Sequence, residues 1–345
     1  RQITNTQIFY FTRKKMADRI LVTGGAGFIG HALIEHLLRN TNYEIVSLDR
    51  LDTSGNLSRL GTLLQDHPEY KSRLRVVWHD LKAPLNDFVI NKIGYVDYIL
   101  HLAAGSHVDR SVLYPLEFVM DNVVGTCNIL DYARLHCDNL KLFLYFSTDE
   151  VFGSAPQGVT FKENDRYNSG NPYAATKAGA EELCVAFENT YSLPIIITHT
   201  MNVYGPKQHP EKYIPLIINK ILNNETLEVH SNPEQTEASK RHYLHSEDVA
   251  RAILFLMKRH TIGEKYNIVA NEESDNLDLA IKISEIMDMP LKHKLVDPKI
   301  TRPRHDFRYA LCGKKLKQLG WRQKIDLETG LKSVIDWFLE NDHWR

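Results

Sequence analysis

The chain has 345 residues with 42 Lys and Arg against 43 Asp and Glu, enough length for a large core and, at about 100–200 residues per domain, for two domains. So even a balance argues against a nucleic-acid or membrane-surface protein, which would carry a basic excess or patch, and points to a small-molecule partner. No apolar run approaches the roughly 20 residues of a membrane helix, and Cys127, Cys137, Cys184 and Cys312 show no CxxC pair or histidine at ligand spacing, so a reducing, cytoplasmic setting without disulfide or metal is expected.

The opening RQITNTQIFYFTRKK lacks the apolar core and cleavage site of a signal peptide. Residues 1–15 are expected to be a disordered extension, with Met16 at the usual distance ahead of a first strand. From Arg19 to Thr200, short β-rich runs alternate with helical periodicity: RILVTG then FIGHALIEHLLRN, YEIVSLD, LRVVWHD, VDYILHLAA, LKLFLYFST and LPIIITHT. This alternation predicts βαβ units and an α/β fold with a Rossmann-type parallel sheet flanked by helices over residues 16–200. Long helices are expected over Leu113–Cys137 and Asn171–Tyr191. Beyond Met201 the pattern turns irregular, with a polar loop NPEQTEASKRH, a helix over Ser246–Arg259, a strand YNIV and helices near Asp275–Met287 and Asp326–Glu340. Residues 201–345 are read as a smaller substrate-binding domain partly interleaved with the first.

Between the first strand and first helix lie Gly24, Gly25, Gly27 and Gly30, spaced to let backbone N–H groups meet a pyrophosphate at the positive end of the helix. Phe28 and Ile29 open that helix. Asp49 ends the second strand, where a carboxylate accepts adenosine ribose hydroxyls and repels a 2′-phosphate, which favours NAD over NADP. Arg50 beside it is a counter-signal, because a guanidinium tolerates that phosphate. Asp80 and Leu81 end the third strand near the adenine position, although Asp80 also fits a turn. Downstream, Tyr173 and Lys177 stand at i, i+4 and share one helix face. An ammonium there lowers the phenol toward working pH and makes it a base for a sugar hydroxyl.

With YFST ahead of this pair, Thr148 completes the hydroxyl-binding group, and the chain resembles the extended short-chain dehydrogenase/reductase superfamily over nearly all of Arg19–Trp344. The segment YFSTDEVFG, with Thr148, Asp149 and Glu150, resembles the nucleotide-diphosphate-glucose 4,6-dehydratases, as do HLAAGSHVDRS, NVYGPKQHPEKYIPLII, RHYLHSEDVARA, YNI and RPRHDFRYA. The resemblance implies a homodimer through the two long helices. It also implies that Leu102, Ala103, Ala104 and Ser106 line the cofactor, and that Ser106, Thr148, Asn202, Lys212, Arg241, Asn267, Arg302 and His305 hold the nucleotide-sugar. Gly105, Phe152, Val203, Arg304 and Phe307 depart from the family pattern.

The chemistry explains the paired carboxyls. Hydrogen at C5 of a hexose becomes acidic only once C4 is a ketone. Glu150 would then be the base at C5 while protonated Asp149 donates to the departing C6 hydroxyl. Neighbouring carboxyls hold one proton between them and so supply both roles. Both reach one sugar only if the strand gives way to a turn by Asp149, since consecutive strand residues face opposite sides. The rival readings are a nucleotide-sugar epimerase or decarboxylase, disfavoured by the Asp-Glu pair, and a catalytically silent dinucleotide sensor, which would be expected to lose Tyr173 or Lys177.

Overall fold

The structure, a computed structural model, describes residues 17–52, 54–297 and 307–344. The strands in chain order are β1 Arg19–Thr23, β2 Glu44–Asp49, β3 Leu74–Trp78, β4 Tyr98–His101, β5 Leu142–Thr148, β6 Ile195–Thr200, β7 Asn202–Tyr204, β8 Thr226–His230, β9 Lys240–His245, β10 Lys265–Ile268, β11 Glu273–Asp275 and β12 Lys292–Val296. The α-helices are α1 Phe28–Asn40, α2 Ser58–Asp66, α3 Asp87–Ile93, α4 Val108–Leu113, α5 Pro115–Phe118, α6 Gly125–His136, α7 Pro172–Tyr191, α8 Tyr213–Leu222, α9 Ser246–Arg259, α10 Asn276–Met287, α11 Lys314–Gln318 and α12 Leu327–Glu340.

Seven strands form one parallel sheet in the order β10-β6-β5-β4-β1-β2-β3. The order reverses direction between β1 and β4, the kind of switch point at whose strand carboxyl ends open α/β sheets bind ligands. Both faces are covered, so the strands read as continuous apolar runs rather than alternating ones. Leu33, Ile34 and Leu37 of α1 pack with Ile253 and Leu256 of α9 on one face. Ile129 and Leu130 of α6 and Ala180 and Cys184 of α7 cover the other. The expected Rossmann-type sheet is therefore present. It also takes in α9 and β10, which lie beyond residue 200.

The remaining segments build a smaller layer with a three-stranded sheet, β11-β9-β7, and a two-stranded one, β12-β8. Ile217 and Ile221 of α8, Leu279 and Ile283 of α10 and Leu331, Ile335 and Phe338 of α12 close its core. Side chains of Asp275 and Asp326 accept from N–H groups of the first turns of α10 and α12, which fixes where these helices begin.

One helix expectation needs correction. The helical run expected from Leu113 is broken at Tyr114, which takes φ −130° and ψ 58°. Pro115 follows, cannot donate a backbone hydrogen bond and disfavours helical geometry in the residue before it. The run restarts at Pro115 and passes through a π-helical turn, Val119–Val124, before α6. That turn carries buried Asn122, whose side chain bonds both backbone groups of Gly105 and the Thr176 hydroxyl. The expected extension over residues 1–15 lies outside the described residues.

Candidate active site

The turn after β1 is built for close backbone approach. Gly24 has φ +71°, and a Cβ there would lie 2.8 Å from the Ala103 nitrogen on the loop after β4. A Cβ on Gly30 would lie 2.1 Å from the Gly24 carbonyl oxygen. Among the described residues no side chain caps α1, and no acidic residue sits in its first turn. Its N–H groups at Phe28, Ile29 and Gly30 thus present the positive end of the helix, a fit for a dinucleotide pyrophosphate.

Asp49 is held with one carboxylate oxygen accepting from Ala26 N at 3.1 Å and the other from Leu51 N at 2.8 Å. Arg50, the counter-signal, is already committed. Its guanidinium forks onto Asp121 at 2.5 and 3.0 Å and reaches Asp52 at 2.6 Å. Asp80 sits in a turn, its carboxylate accepting from Lys82 N at 3.0 Å. The Leu81 carbonyl accepts from Asn128 at 2.7 Å. Leu102 and Ala103 are tied to Thr23 at the end of β1, Ala104 follows, and Ser106 is exposed.

The carboxylate pair lies where β5 ends. The strand stops at Thr148, and Asp149–Phe152 form a 3-10 turn. The Thr148 hydroxyl caps the turn, accepting from Glu150 N at 3.3 Å, and donates to Asp149 Oδ1 at 3.1 Å. The strand thus gives way at the residue where it must for both carboxyls to serve one sugar. Asp149 is 5% exposed, and its Oδ2 has no hydrogen-bond partner among the described residues. Burial, helped by the charge of Glu150, pushes its carboxyl up to about 7, while Arg241 and the Thr148 hydroxyl pull the other way. Asp149 therefore keeps its proton well above the ordinary carboxyl range.

Glu150 is steered by two groups that sequence reasoning missed. Asn171 Nδ2 donates to its Oε2 at 3.0 Å and the Tyr309 hydroxyl at 3.3 Å. Asn171 is also the cap of α7, accepting from Ala174 N at 2.8 Å, so one amide fixes the helix start and the carboxylate together. The legible signal was Asn-Pro ahead of a helix. Tyr309 lies far along the chain, in the RPRHDFRYA segment, and its reach to Glu150 left no local signal.

Tyr173 and Lys177 occupy the buried stripe of α7. Here the structure differs from the expected pairing. The Lys177 ammonium donates to the Phe146 carbonyl at 2.7 Å and lies 4.2 Å from the Tyr145 ring centroid. Burial, then the charges of Glu150 and Asp149, push the Tyr173 phenol up, with only the Thr148 hydroxyl opposing. Burial brings Lys177 down to about 8, against the charge of Glu181.

Among the other candidates, Arg241 is buried, with Nη1 donating to the carbonyls of Lys240 and Phe307 and its guanidinium 4.5 Å from the Tyr309 ring centroid. Asn202 is exposed at the start of β7, and Lys212 stands ahead of α8. Asn267 is 0% exposed, its Nδ2 donates to the carbonyls of Phe161 and Cys312, and its Oδ1 faces His199, so its side-chain amide is engaged inside the protein. Arg302, Arg304 and His305 lie outside the described residues.

Residues 21–334 match the family model described as GDP-mannose 4,6 dehydratase. A dTDP-glucose 4,6-dehydratase of Escherichia coli is 38% identical, the match covering 94% of this chain and 95% of that protein. Among solved structures, DesIV, a dTDP-glucose 4,6-dehydratase from Streptomyces venezuelae with NAD and TYD bound, superposes with a TM-score of 0.83 at 34% identity, covering 94% of this chain and 98% of that one. The Thermus thermophilus UDP-glucose 4-epimerase complex with NAD reaches 0.81 at 25% identity, with 93% and 99% covered.

Proposed function

The chain belongs to the GDP-mannose 4,6 dehydratase family, and from that premise we propose that it is an NAD-dependent hydro-lyase. It converts a nucleotide-diphosphate-glucose, with dTDP or UDP as the nucleotide, to the 4-keto-6-deoxy sugar with loss of water. The observation that carries this reading is Asp149, buried beside Glu150, its carboxyl pushed up to about 7 by burial and one of its oxygens without a hydrogen-bond partner among the described residues. An epimerase has no use for an acid poised there, whereas an elimination needs one.

The uncapped α1 terminus and Asp49 would hold the cofactor, and the commitment of Arg50 to Asp52 and Asp121 supports NAD over its 2′-phosphorylated form. When bound, NAD supplies a hydride acceptor for C4 and the same hydride for C6. Tyr173, with Thr148 beside it and Lys177 one turn on, is assigned the proton of the C4 hydroxyl, a role that requires the phenol to have given up its own proton first. With C4 oxidised, Glu150, oriented by Asn171 and Tyr309, takes the C5 proton. Asp149 gives its proton to the departing C6 oxygen, which leaves as water. Arg241 and Lys212 supply positive charge for the diphosphate, with Ser106 and Asn202 at the sugar and nucleotide sides.

We further infer a homodimer acting in the cytoplasm. The pairing is supported by a row of exposed apolar side chains at Val112, Leu113, Tyr114, Leu116 and Val119, and sedimentation giving a monomer at micromolar concentration would contradict it. Among the described residues no helix is long and apolar enough to cross a membrane. The substrate is tested by incubating the protein with dTDP-, UDP-, CDP- and GDP-glucose and reading the alkali-dependent absorbance of the keto product. Signal with dTDP- or UDP-glucose is expected. Signal with none of the four would contradict the proposal.

A further inference from the structure

Arg50 follows the last residue of β2, at the corner where Rossmann-type sheets meet the adenosine ribose, and an arginine at that corner accommodates a 2′-phosphate. Its backbone is fixed by the Trp78 indole, which donates to the Arg50 carbonyl at 2.9 Å. Its guanidinium is spent on carboxylates. Nη1 and Nη2 donate to the two oxygens of Asp121 at 2.5 and 3.0 Å, and Nε donates to Asp52 Oδ2 at 2.6 Å. Lys82, a second cation of this corner, stands 3.4 Å from Asp80 and 3.9 Å from Asp121. Two cations thus share the corner with Asp52, Asp80 and Asp121, beside Asp49.

The two carboxylates on Arg50 are held differently. Asp52 lies in the same turn as Arg50, its side chain 35% exposed, and its other oxygen accepts from Ser54 N and Gly55 N. Asp121 comes from 71 residues away, on the π-helical turn, and its side chain is 11% exposed. Asn122 beside it bonds both backbone groups of Gly105 and the Thr176 hydroxyl, which pins the turn. A Cβ on Gly105 would lie 3.1 Å from Asp121 Oδ2 and 3.2 Å from the Phe118 ring, so the absence of a side chain at 105 leaves the carboxylate its place. A planar fork onto both oxygens of a fixed carboxylate is the most directional pairing a guanidinium makes, and it is the same fork that a phosphate would take.

We propose that Asp121 is a specificity-determining residue for the cofactor: by occupying the Arg50 fork it withholds the guanidinium from a 2′-phosphate, so that the site takes NAD and refuses NADP. This rests on the reading of the glycine turn and Asp49 as the dinucleotide site, and it adds to that reading a competition between an internal carboxylate and the phosphate for one fork. Repulsion by Asp49 is not the whole of the selectivity, because both its oxygens accept from backbone N–H groups, at Ala26 and Leu51, which offsets part of its charge.

The test is a competition between the two dinucleotides. The protein is dialysed against equimolar NAD and NADP until the bound ratio is constant, freed of unbound nucleotide and denatured, and the released dinucleotides are measured by chromatography. The unsubstituted protein is expected to release NAD. Asp121→Asn keeps the size and removes the charge that holds the fork, and the bound NADP-to-NAD ratio is expected to rise by about 10–100-fold, the worth of hydrogen bonds to a charged group. The same substitution made in Arg50→Gln protein is expected to leave the ratio where Arg50→Gln alone puts it, because no guanidinium is left to release. A ratio unmoved by Asp121→Asn overturns the proposal. So does a rise of equal size with Arg50→Gln in place, which would make Asp121 a repelling charge and nothing more. If Asp121→Asn does not fold, Asp52→Asn decides: loosening the Nε arm should raise the ratio only while Arg50 is present, and no rise refutes the proposal. Release of neither dinucleotide from the unsubstituted protein would instead sink the cofactor reading.

Discussion

Asp149 and Glu181 are both buried carboxyl groups, 5% and 0% exposed, yet the fold treats them in opposite ways. Among the described residues Asp149 has one side-chain donor, Thr148, and an oxygen with no partner; with a like charge next door, it is pushed up to about 7. For Glu181 burial also pushes upward, but His199, Lys265 and Ser147 outweigh it and hold the group at about 2. Desolvation is common to both, so the difference lies in the partners. A scaffold carboxylate has its hydrogen bonds satisfied, whereas one kept for chemistry is left short of them.

The comparison is broken most severely by removing the exposed-to-substrate member. Asp149→Asn keeps the size but loses the transferable proton, and water loss is expected to fall by about 10²–10⁴-fold while C4 oxidation persists. Glu150→Gln should stall at the same stage, and stopped-flow absorbance of the reduced cofactor should rise and persist in both. Tyr173→Phe should abolish that absorbance. The reverse pattern, with reduction in Tyr173→Phe and none in Glu150→Gln, would exchange the two roles.

A smaller effect is expected from pH. Asp149 donates only when protonated, so the elimination step should decline as pH rises through about 7, measured as the decay rate of the reduced cofactor. In Asp149→Asn that decline should vanish. Smallest is the effect on stability. The Glu181 carboxyl is depressed in the folded state, so its contribution is full above its ordinary value of 4.5 and is lost as pH falls toward about 2. Denaturant melts between those limits should show a flatter acid branch in Glu181→Gln than in the unsubstituted protein. An unchanged slope would mean that Glu181 is not the ionised anchor described.

Much of this was legible in the chain. The six strands from RILVTG to LPIIITHT stand out because a sheet covered on both faces writes itself as apolar runs. Thr148, Asp149, Glu150, Tyr173 and Lys177 are legible because they fall in two short segments. The break at Tyr114 follows from Pro115, yet helical periodicity on either side masked it. Asn267 sits in a family-like triplet, and only its three side-chain partners, Phe161, Cys312 and His199, show that its amide is engaged inside the protein. Tyr309, and the union of Glu181 with His199 and Lys265, depend on contacts between segments far apart in sequence, which no local pattern records.

The central claim is that an acid and a base act together on a sugar oxidised at C4, and the fate of one hydrogen tests it most directly. Nucleotide-glucose carrying deuterium at C4 is converted to completion and the product is examined by NMR and mass spectrometry. The account predicts deuterium on the C6 methyl of the same molecule, and in heavy water with unlabelled substrate a solvent deuterium at C5. Deuterium returned to C4, or a product that retains its C6 hydroxyl, would contradict the roles given to Asp149 and Glu150.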